Sequence, residues 1–375
     1  MNHVALVIPT IDQIGGAERQ VLLLAPALAA RGWRVTVIAL SGSGGVSARE
    51  LAQAGVGFLS LGMRKAWIDP RGWLRYLEWA RNNRPDIVHA HLPHAAWFAR
   101  WVRLLAPVRV TIDTIHTSRA AGLGKRLGYR LSGWLTDCIT CVSQAVAGSF
   151  ADSRLANPSR LRVLPNGVEV KHEEISTNDT PESHYPSAGE YFRWVAVGRL
   201  APVKNYPDML RAFAQLPRLP RLTIAGAGPD EYTLRQLAIQ LGVAERVLFV
   251  GFQHDIPALL RQADGFVLSS LWEGLPIGVL EASSAGLPVV ATDGPGTREA
   301  LIPGKTGLLV PVRNVAALSH AMAEVMAMPA ATRLRMGSEG REMVKQRFSL
   351  EAVLDQWELL YLELLREHLN LSRRA

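Results

Sequence analysis

Gly265-Phe-Val-Leu-Ser-Ser-Leu-Trp-Glu273-Gly-Leu-Pro-Ile-Gly-Val-Leu-Glu281 begins as an apolar run, passes through a glycine- and proline-bearing turn, and enters a helical stretch near Ile277. A short apolar strand that turns into a helix is the repeating unit of a parallel sheet covered by helices. The unit recurs on both sides of this stretch. Trp194–Val197, Leu222–Ala225, Val247–Val250, Pro288–Ala291 and Gly307–Val310 read as further strands, with helices between them. Upstream, residues 171–190 are polar and aperiodic, the composition of a linker. Before them lies a second alternating set, with strands at Val4–Ile8, Val35–Ala39, Ile87–Ala90, Val108–Ile112 and Cys138–Val142. Its helices are expected over Ala17–Arg31, stopped by Gly32, from Asp69-Pro70 to about Asn82, and over Ala95–Leu105. The class is therefore α/β, with two doubly wound parallel domains of the nucleotide-binding type. The expected division is 1–170, a linker at 171–190, 191–352, and a final helix at 353–375. That helix presents Val353, Leu354, Trp357, Leu360, Tyr361 and Leu364 at helical spacing.

Composition supports two globular cores: 375 residues, 48% hydrophobic and 20% charged. Met1-Asn2-His3 runs straight into a strand, without the basic and apolar regions of a signal peptide. No apolar run approaches the roughly 18 residues of a membrane span. Cys138 and Cys141 form a C-x-x-C inside a strand-like run, where alternation points residues three apart to opposite faces. They read as structural thiols. A zinc site needs two more ligands, and the chain has no second cysteine pair. With no disulfide framework, a reducing cytoplasm is the expected location.

The net charge of +8 is uneven: residues 1–170 carry 20 Lys/Arg and 10 Asp/Glu, and the remainder 21 and 23. A basic first half attracts anionic partners. Nucleic acid is not expected, for want of a recognisable module. Arg64, Lys65, Trp67, Arg71, Trp73 and Arg75 interleave cations with indoles, as do Trp97, Arg100, Trp101 and Arg103, and Lys125, Arg126 and Arg130 add a basic stretch. That pattern fits an anionic membrane surface. It equally fits core tryptophans beneath a solvated arginine face.

Three segments carry chemistry. In the opening stretch, the turn before Ile277 lets backbone N–H groups at a helix start face an anion, while Glu281 can accept from a vicinal diol and Glu273 from another hydroxylated group. Two surface glutamates would look the same. In Val197-Gly-Arg-Leu-Ala-Pro-Val-Lys-Asn205 a strand ends at Gly198, followed by Arg199 and Lys204. A forked and a point cation suit a pyrophosphate, and also suit a plain basic loop. Gln13-Ile-Gly-Gly16-Ala-Glu18 follows the first strand and opens a helix, either as an ordinary turn or as a close approach to a ligand. His89-x-His91 has a metal-like spacing but no carboxylate-rich surround, and D-x-D is absent, so no metal and no cofactor are expected. His116, just past a strand, is the better site candidate.

Taken in order, these segments resemble the GT-B retaining glycosyltransferases of family 4, the bacterial group 1 type. The resemblance spans nearly the whole chain. It rests on Gly15-Gly16-Ala-Glu18, Asp86-Ile-Val-His-Ala-His91, His116, Cys141-Val-Ser143, Pro165-Asn166-Gly167-Val168, Gly198-Arg199-Leu200 with Lys204-Asn205, Ala225-Gly-Ala-Gly228-Pro229, Val250-Gly251 and the Glu273/Glu281 pair. It implies two Rossmann-like domains facing across a cleft, with the acceptor on the first and a nucleotide-sugar on the second. The last helix would cross back to the first domain. Arg199 and Lys204 match the diphosphate clamp, Glu281 the carboxylate on the ribose, Glu273 the one near the donor sugar, and Ile277 and Gly278 the backbone amides. Gly16 matches the glycine facing the diphosphate, and His116 the histidine near the transferred sugar.

The implied activity is metal-independent transfer with retention, to a glycan or lipid-linked acceptor in polysaccharide or glycolipid synthesis. With no obvious covalent nucleophile, same-face attack is preferred to double displacement. A cytoplasmic enzyme, peripheral on the inner face of the membrane, would suit such an acceptor. A nucleotide-sugar epimerase or a non-catalytic sugar-binding protein on the same scaffold are the alternatives.

Overall fold

The computed structural model of the chain describes residues 1–12, 15–64, 68–117, 123–170, 191–217 and 220–372. The proposed linker at 171–190 lies outside the described residues, as do Gln13, Ile14, Lys65 and Trp67. The chain forms two compact units: Met1–Gly167 with Leu350–Ala375, and Val168–Ser349.

The first unit holds strands β1 (His3–Ile8), β2 (Arg34–Ala39), β3 (Gly57–Ser60), β4 (Ile87–His91), β5 (Val110–Ile115), β6 (Cys138–Cys141) and β7 (Leu161–Val163). They form one sheet in the order β3-β2-β1-β4-β5-β6-β7. The second unit holds β8 (Arg193–Val197), β9 (Arg221–Ala225), β10 (Val247–Gly251), β11 (Gly265–Leu268), β12 (Val289–Thr292) and β13 (Gly307–Val310), in the order β10-β9-β8-β11-β12-β13. Adjacent strands are parallel throughout both sheets. The central strands β1, β4 and β5 are buried along their whole length, which is why they read as continuous apolar runs. In each sheet the strand order reverses once, between β1 and β4 and between β8 and β11. Crossover helices diverge there and leave a crevice beyond the carboxyl ends of the strands.

In the first unit one strand begins and ends later than its sequence suggests. The run Val108–Ile112 becomes β5, Val110–Ile115, and so contains Asp113. The buried carboxylate is paired with Arg100 through Oδ2, while its Oδ1 has no hydrogen-bond partner among the described residues. Arg100 Nε donates to Asp113 Oδ2 at 2.8 Å and Nη1 to Ser132 Oγ at 3.0 Å. Both side chains of the ion pair are 0% exposed. Burial holds the Asp113 carboxyl above its ordinary value, against the smaller opposing pull of the adjacent guanidinium. The extension of β5 brings its end directly to His116.

The helix Leu350–Ser372 belongs to the first unit. Its Val353, Leu354, Trp357, Leu360, Tyr361 and Leu365 join Val4, Leu6, Val21, Leu24 and Trp33 in one core. Leu364 is only partly buried against that core. Trp33 Nε1 donates to Glu358 at 2.7 Å, and Arg31 pairs with Asp355 and Glu358. Cys138 and Cys141 are free and buried, and burial pushes both thiols up to about 12, which leaves them unreactive.

Candidate functional site

In the second unit the crevice beyond β8 and β11 gathers the segments that carried most of the expected chemistry. The loop after β8 contains Gly198, Arg199 and Lys204, and the loop after β11 contains Ser269, Ser270 and Glu273. Lys204 Nζ donates to Glu273 Oε1 at 2.6 Å, and Ser270 Oγ donates to the same oxygen at 2.6 Å. Two further bonds tie the loops together: Ser269 Oγ to the Lys204 carbonyl and Leu271 N to the Val203 carbonyl, both at 2.8 Å. Tyr206 Oη donates to the Gly198 carbonyl at 3.0 Å. The Lys204 and Glu273 side chains are 19% and 13% exposed, so this pair is held in place while still reachable. Arg199 is exposed and has no hydrogen-bond or ion-pair partner among the described residues.

The loop after β9 presses on the loop after β8. Gly226 has φ +148°, and a Cβ there would fall 2.0 Å from the Gly198 carbonyl oxygen. A side chain at Gly226 would therefore push the cation-bearing loop away from its place.

The helix Ile277–Ser284 starts at the same sheet end without a side-chain cap. The N–H groups of Ile277 and Gly278 in its first turn have no acceptor among the described residues. Glu281, one turn on from Ile277, shares its helix face. Gly278 permits close packing: a Cβ would meet the Phe266 ring at 3.2 Å and the Val197 carbonyl at 3.4 Å. The structure thus brings Lys204 and Glu273 into contact, with Arg199, Ile277, Gly278 and Glu281 on the elements that frame them. A forked cation, a point cation, open amides and a carboxylate together suit a diphosphate joined to a hydroxylated group.

The remaining candidates, Gly16 and His116, lie on the first unit. Gly16 opens the helix Gly16–Ala30, and Glu18 reaches back so that Gly15 N donates to its carboxylate at 3.1 Å. Burial pushes that carboxyl up. His116 lies beyond β5 and pairs through Nε2 with His91 Nδ1 at 3.1 Å. His89, beside them, has both ring nitrogens taken: Nδ1 by Tyr361 Oη at 2.7 Å and Nε2 by Thr114 Oγ1 at 2.6 Å. The H-x-H spacing therefore serves internal hydrogen bonds, and no three His, Cys, Asp or Glu residues are grouped around a metal position among the described residues. Burial keeps these imidazoles neutral, lowering His89 to about 3, His116 to about 4 and His91 well below the ordinary value. His91, Thr114, His116, Gln20, Asn166 and Trp357 line one cavity. Sequence reasoning missed the roles of Ser270, Gln20 and Trp357. The Ser269-Ser270 step just before Glu273 was the one available signal.

Two family models match the chain: Glycosyltransferase Family 4 over residues 14–172 and Glycosyl transferases group 1 over residues 182–343. A lipopolysaccharide core biosynthesis glycosyltransferase of Rhizobium meliloti, LpsE, is 30% identical over 358 residues, 94% of this chain and 96% of that one. The chain belongs to the group 1, family 4 glycosyltransferases. A second member, a GDP-mannose-dependent α-(1-6)-phosphatidylinositol monomannoside mannosyltransferase of Mycobacterium tuberculosis, is 32% identical over 284 residues, 69% of this chain and 73% of that one. The GT-B fold of this glycosyltransferase is seen in Anabaena HepE, solved in complex with UDP and glucose, at a TM-score of 0.82 and 19% identity, covering 95% and 98% of the two chains.

Proposed function

We propose that this glycosyltransferase takes a nucleotide-sugar donor and moves its sugar, with retention and without a metal, to a glycan or lipid-linked acceptor in polysaccharide or glycolipid synthesis. The observation that carries the reading is the Lys204–Glu273 pair beyond β8 and β11, framed by unpartnered Arg199 and the open amides of Ile277 and Gly278. Arg199, Lys204 and the amides take the diphosphate, and Glu281 takes the ribose hydroxyls. Glu273, anchored by Lys204 and Ser270, faces the sugar. As the C1–O bond to the diphosphate breaks, negative charge grows where these fixed donors already point, so they act more strongly in the transition state. The acceptor oxygen forms its bond to C1 on the same face, and its proton passes to the departing β-phosphate. The UDP of the HepE complex and the GDP-mannose named for the mycobacterial relative support a nucleotide-sugar donor. The test is nucleoside diphosphate release from a panel of UDP-, GDP- and ADP-sugars, with and without glycan and polyprenyl-diphosphate-linked glycan acceptors. Transfer predicts release that depends on an acceptor. Acceptor-free conversion of the donor's sugar would indicate an epimerase, and no turnover would leave a sugar-binding protein.

We also infer that the enzyme rests on an anionic membrane from the cytoplasmic side. No helix among the described residues is long and apolar enough to cross a membrane. The surface differs from the one the indole pattern suggested. Trp97 is buried and Arg100 is sealed against Asp113, so neither is free to meet lipid, and Trp73, packed edge-on against Phe98 at 5.8 Å, is half-buried. The helix Leu123–Ser132 instead exposes Leu127, Leu131 and Arg126, with Trp134 just beyond it 63% exposed. Each cation near such a surface contributes on the order of 1 kcal/mol. Flotation with phosphatidylglycerol vesicles is expected to carry the enzyme up at low salt, and Leu127→Ser with Trp134→Ser to reduce this. Equal flotation of neutral and anionic vesicles, or none, would contradict the inference.

A further inference from the structure

His91 ends β4 and His116 follows β5, and these neighbouring parallel strands place His91 opposite Thr114. Side chains two apart share a face, so His116 lies beyond Thr114 on the side that His91 meets. The 3.1 Å contact between His91 Nδ1 and His116 Nε2 needs one N–H and one lone pair. Between neutral rings only two arrangements are allowed. If His91 Nδ1 donates, His116 must carry its proton on Nδ1. If His116 Nε2 donates, His91 must carry its proton on Nε2. The two rings therefore always hold the same tautomer. In either state one outer nitrogen is a donor and the other an acceptor.

Those outer nitrogens, His91 Nε2 and His116 Nδ1, are buried and have no partner. Both rings line the cavity shared with Gln20, Thr114, Asn166 and Trp357. Buried polar atoms normally find partners, so the unpaired Nδ1 of His116, which donates in one tautomer and accepts in the other, points to a ligand group that can do either. A sugar hydroxyl is such a group. The orientation of His91 is itself fixed. Its ring lies 4.2 Å, centroid to centroid, from that of His89, which is pinned by Tyr361 and Thr114 and lies 4.5 Å from the Trp357 ring.

We propose that His91 is a positioning residue, which holds His116 through the imidazole–imidazole hydrogen bond and couples the tautomer of His116 to its own, so that His116 Nδ1 meets a sugar hydroxyl in a set direction. The proposal rests on the reading of His116 as the residue facing the transferred sugar. Protonation of either ring would leave His116 Nδ1 a donor only, and burial keeps both rings neutral.

The experiment compares kcat and donor KM for His91→Phe, His91→Asn, His116→Ala and the double variant His91→Phe with His116→Ala. His91→Phe keeps ring size and removes the bond, so kcat falls about 10-fold, the loss expected for one hydrogen bond, with little change in donor KM. His91→Asn returns an amide N–H close to the Nδ1 position and recovers most of the rate. In the His116→Ala background, His91→Phe has no further effect, because its action runs through His116. Multiplying effects in the double variant, or wild-type kcat in His91→Phe beside a slow His116→Ala, would overturn the proposal and leave the His116 reading standing. Wild-type kcat in His116→Ala would remove that reading, and the proposal with it. Should His91→Phe fail to fold, histidine ¹⁵N spectra of the intact wild-type enzyme at pH 7.5 decide the matter. Matching neutral tautomers for His91 and His116 support the proposal, and opposite tautomers or a charged ring overturn it.

Discussion

Arg199→Ala and Lys204→Ala are each expected to lower kcat about 10- to 150-fold, the range that corresponds to losing one charge-assisted hydrogen bond. The loss falls on kcat rather than donor KM alone, because the diphosphate gains charge as the glycosidic bond breaks. Lys204 is already fixed against Glu273 at 2.6 Å, so its charge needs little rearrangement to act. Arg199→Lys keeps the charge but loses the planar fork, and recovers only part of the rate. Glu281→Ala behaves differently: ribose is remote from the changing bonds, and the defect appears mainly in donor KM. Steady-state kinetics of these variants check the assignment. Wild-type kcat in both alanine variants would mean that this crevice does not hold the leaving group.

The second large effect is on stability. Trp357→Ala is expected to destabilise the first unit by about 3–5 kcal/mol, the usual loss for a large aromatic removed from a core. Trp357 is 4% exposed, packs on Tyr361 and His89, and shares a core with strand β1 and the helix Gly16–Ala30. Its removal also opens the wall of the cavity that holds His91 and His116. Urea unfolding followed on the first unit measures the loss. A change within the roughly 0.5 kcal/mol scatter of surface substitutions would contradict the packing account.

The legibility of the chain follows its burial. Val4–Ile8, Ile87–Ala90 and Gly265–Leu268 were readable because strands covered on both faces need unbroken apolar residues. The edge strands Gly57–Ser60 and Leu161–Val163 were not, because each is short and no more than half-buried, so no period is imposed on it. β5 was misplaced because a buried Asp113 makes sense only with Arg100, 13 residues away, in view. The residues of the second unit's crevice were legible individually, since Arg199, Lys204 and Glu273 follow strand ends. What the sequence could not reveal is that Lys204 and Glu273 meet, because that contact depends on β8 and β11 being neighbours, although β9 and β10 separate them in the chain. In the same way, the sequence sets His89 two residues from His91, and only the third dimension gives His89 to Tyr361 and His91 to His116.

The central claim is transfer with retention from a nucleotide-sugar. The most direct measurement is the ¹H NMR anomeric coupling of the glycoside formed when the accepted nucleotide-sugar and acceptor are incubated with the enzyme. The account predicts that the newly formed linkage keeps the anomeric configuration of the donor, with one nucleoside diphosphate released per linkage. An inverted linkage, or diphosphate release with no new glycoside, would contradict it.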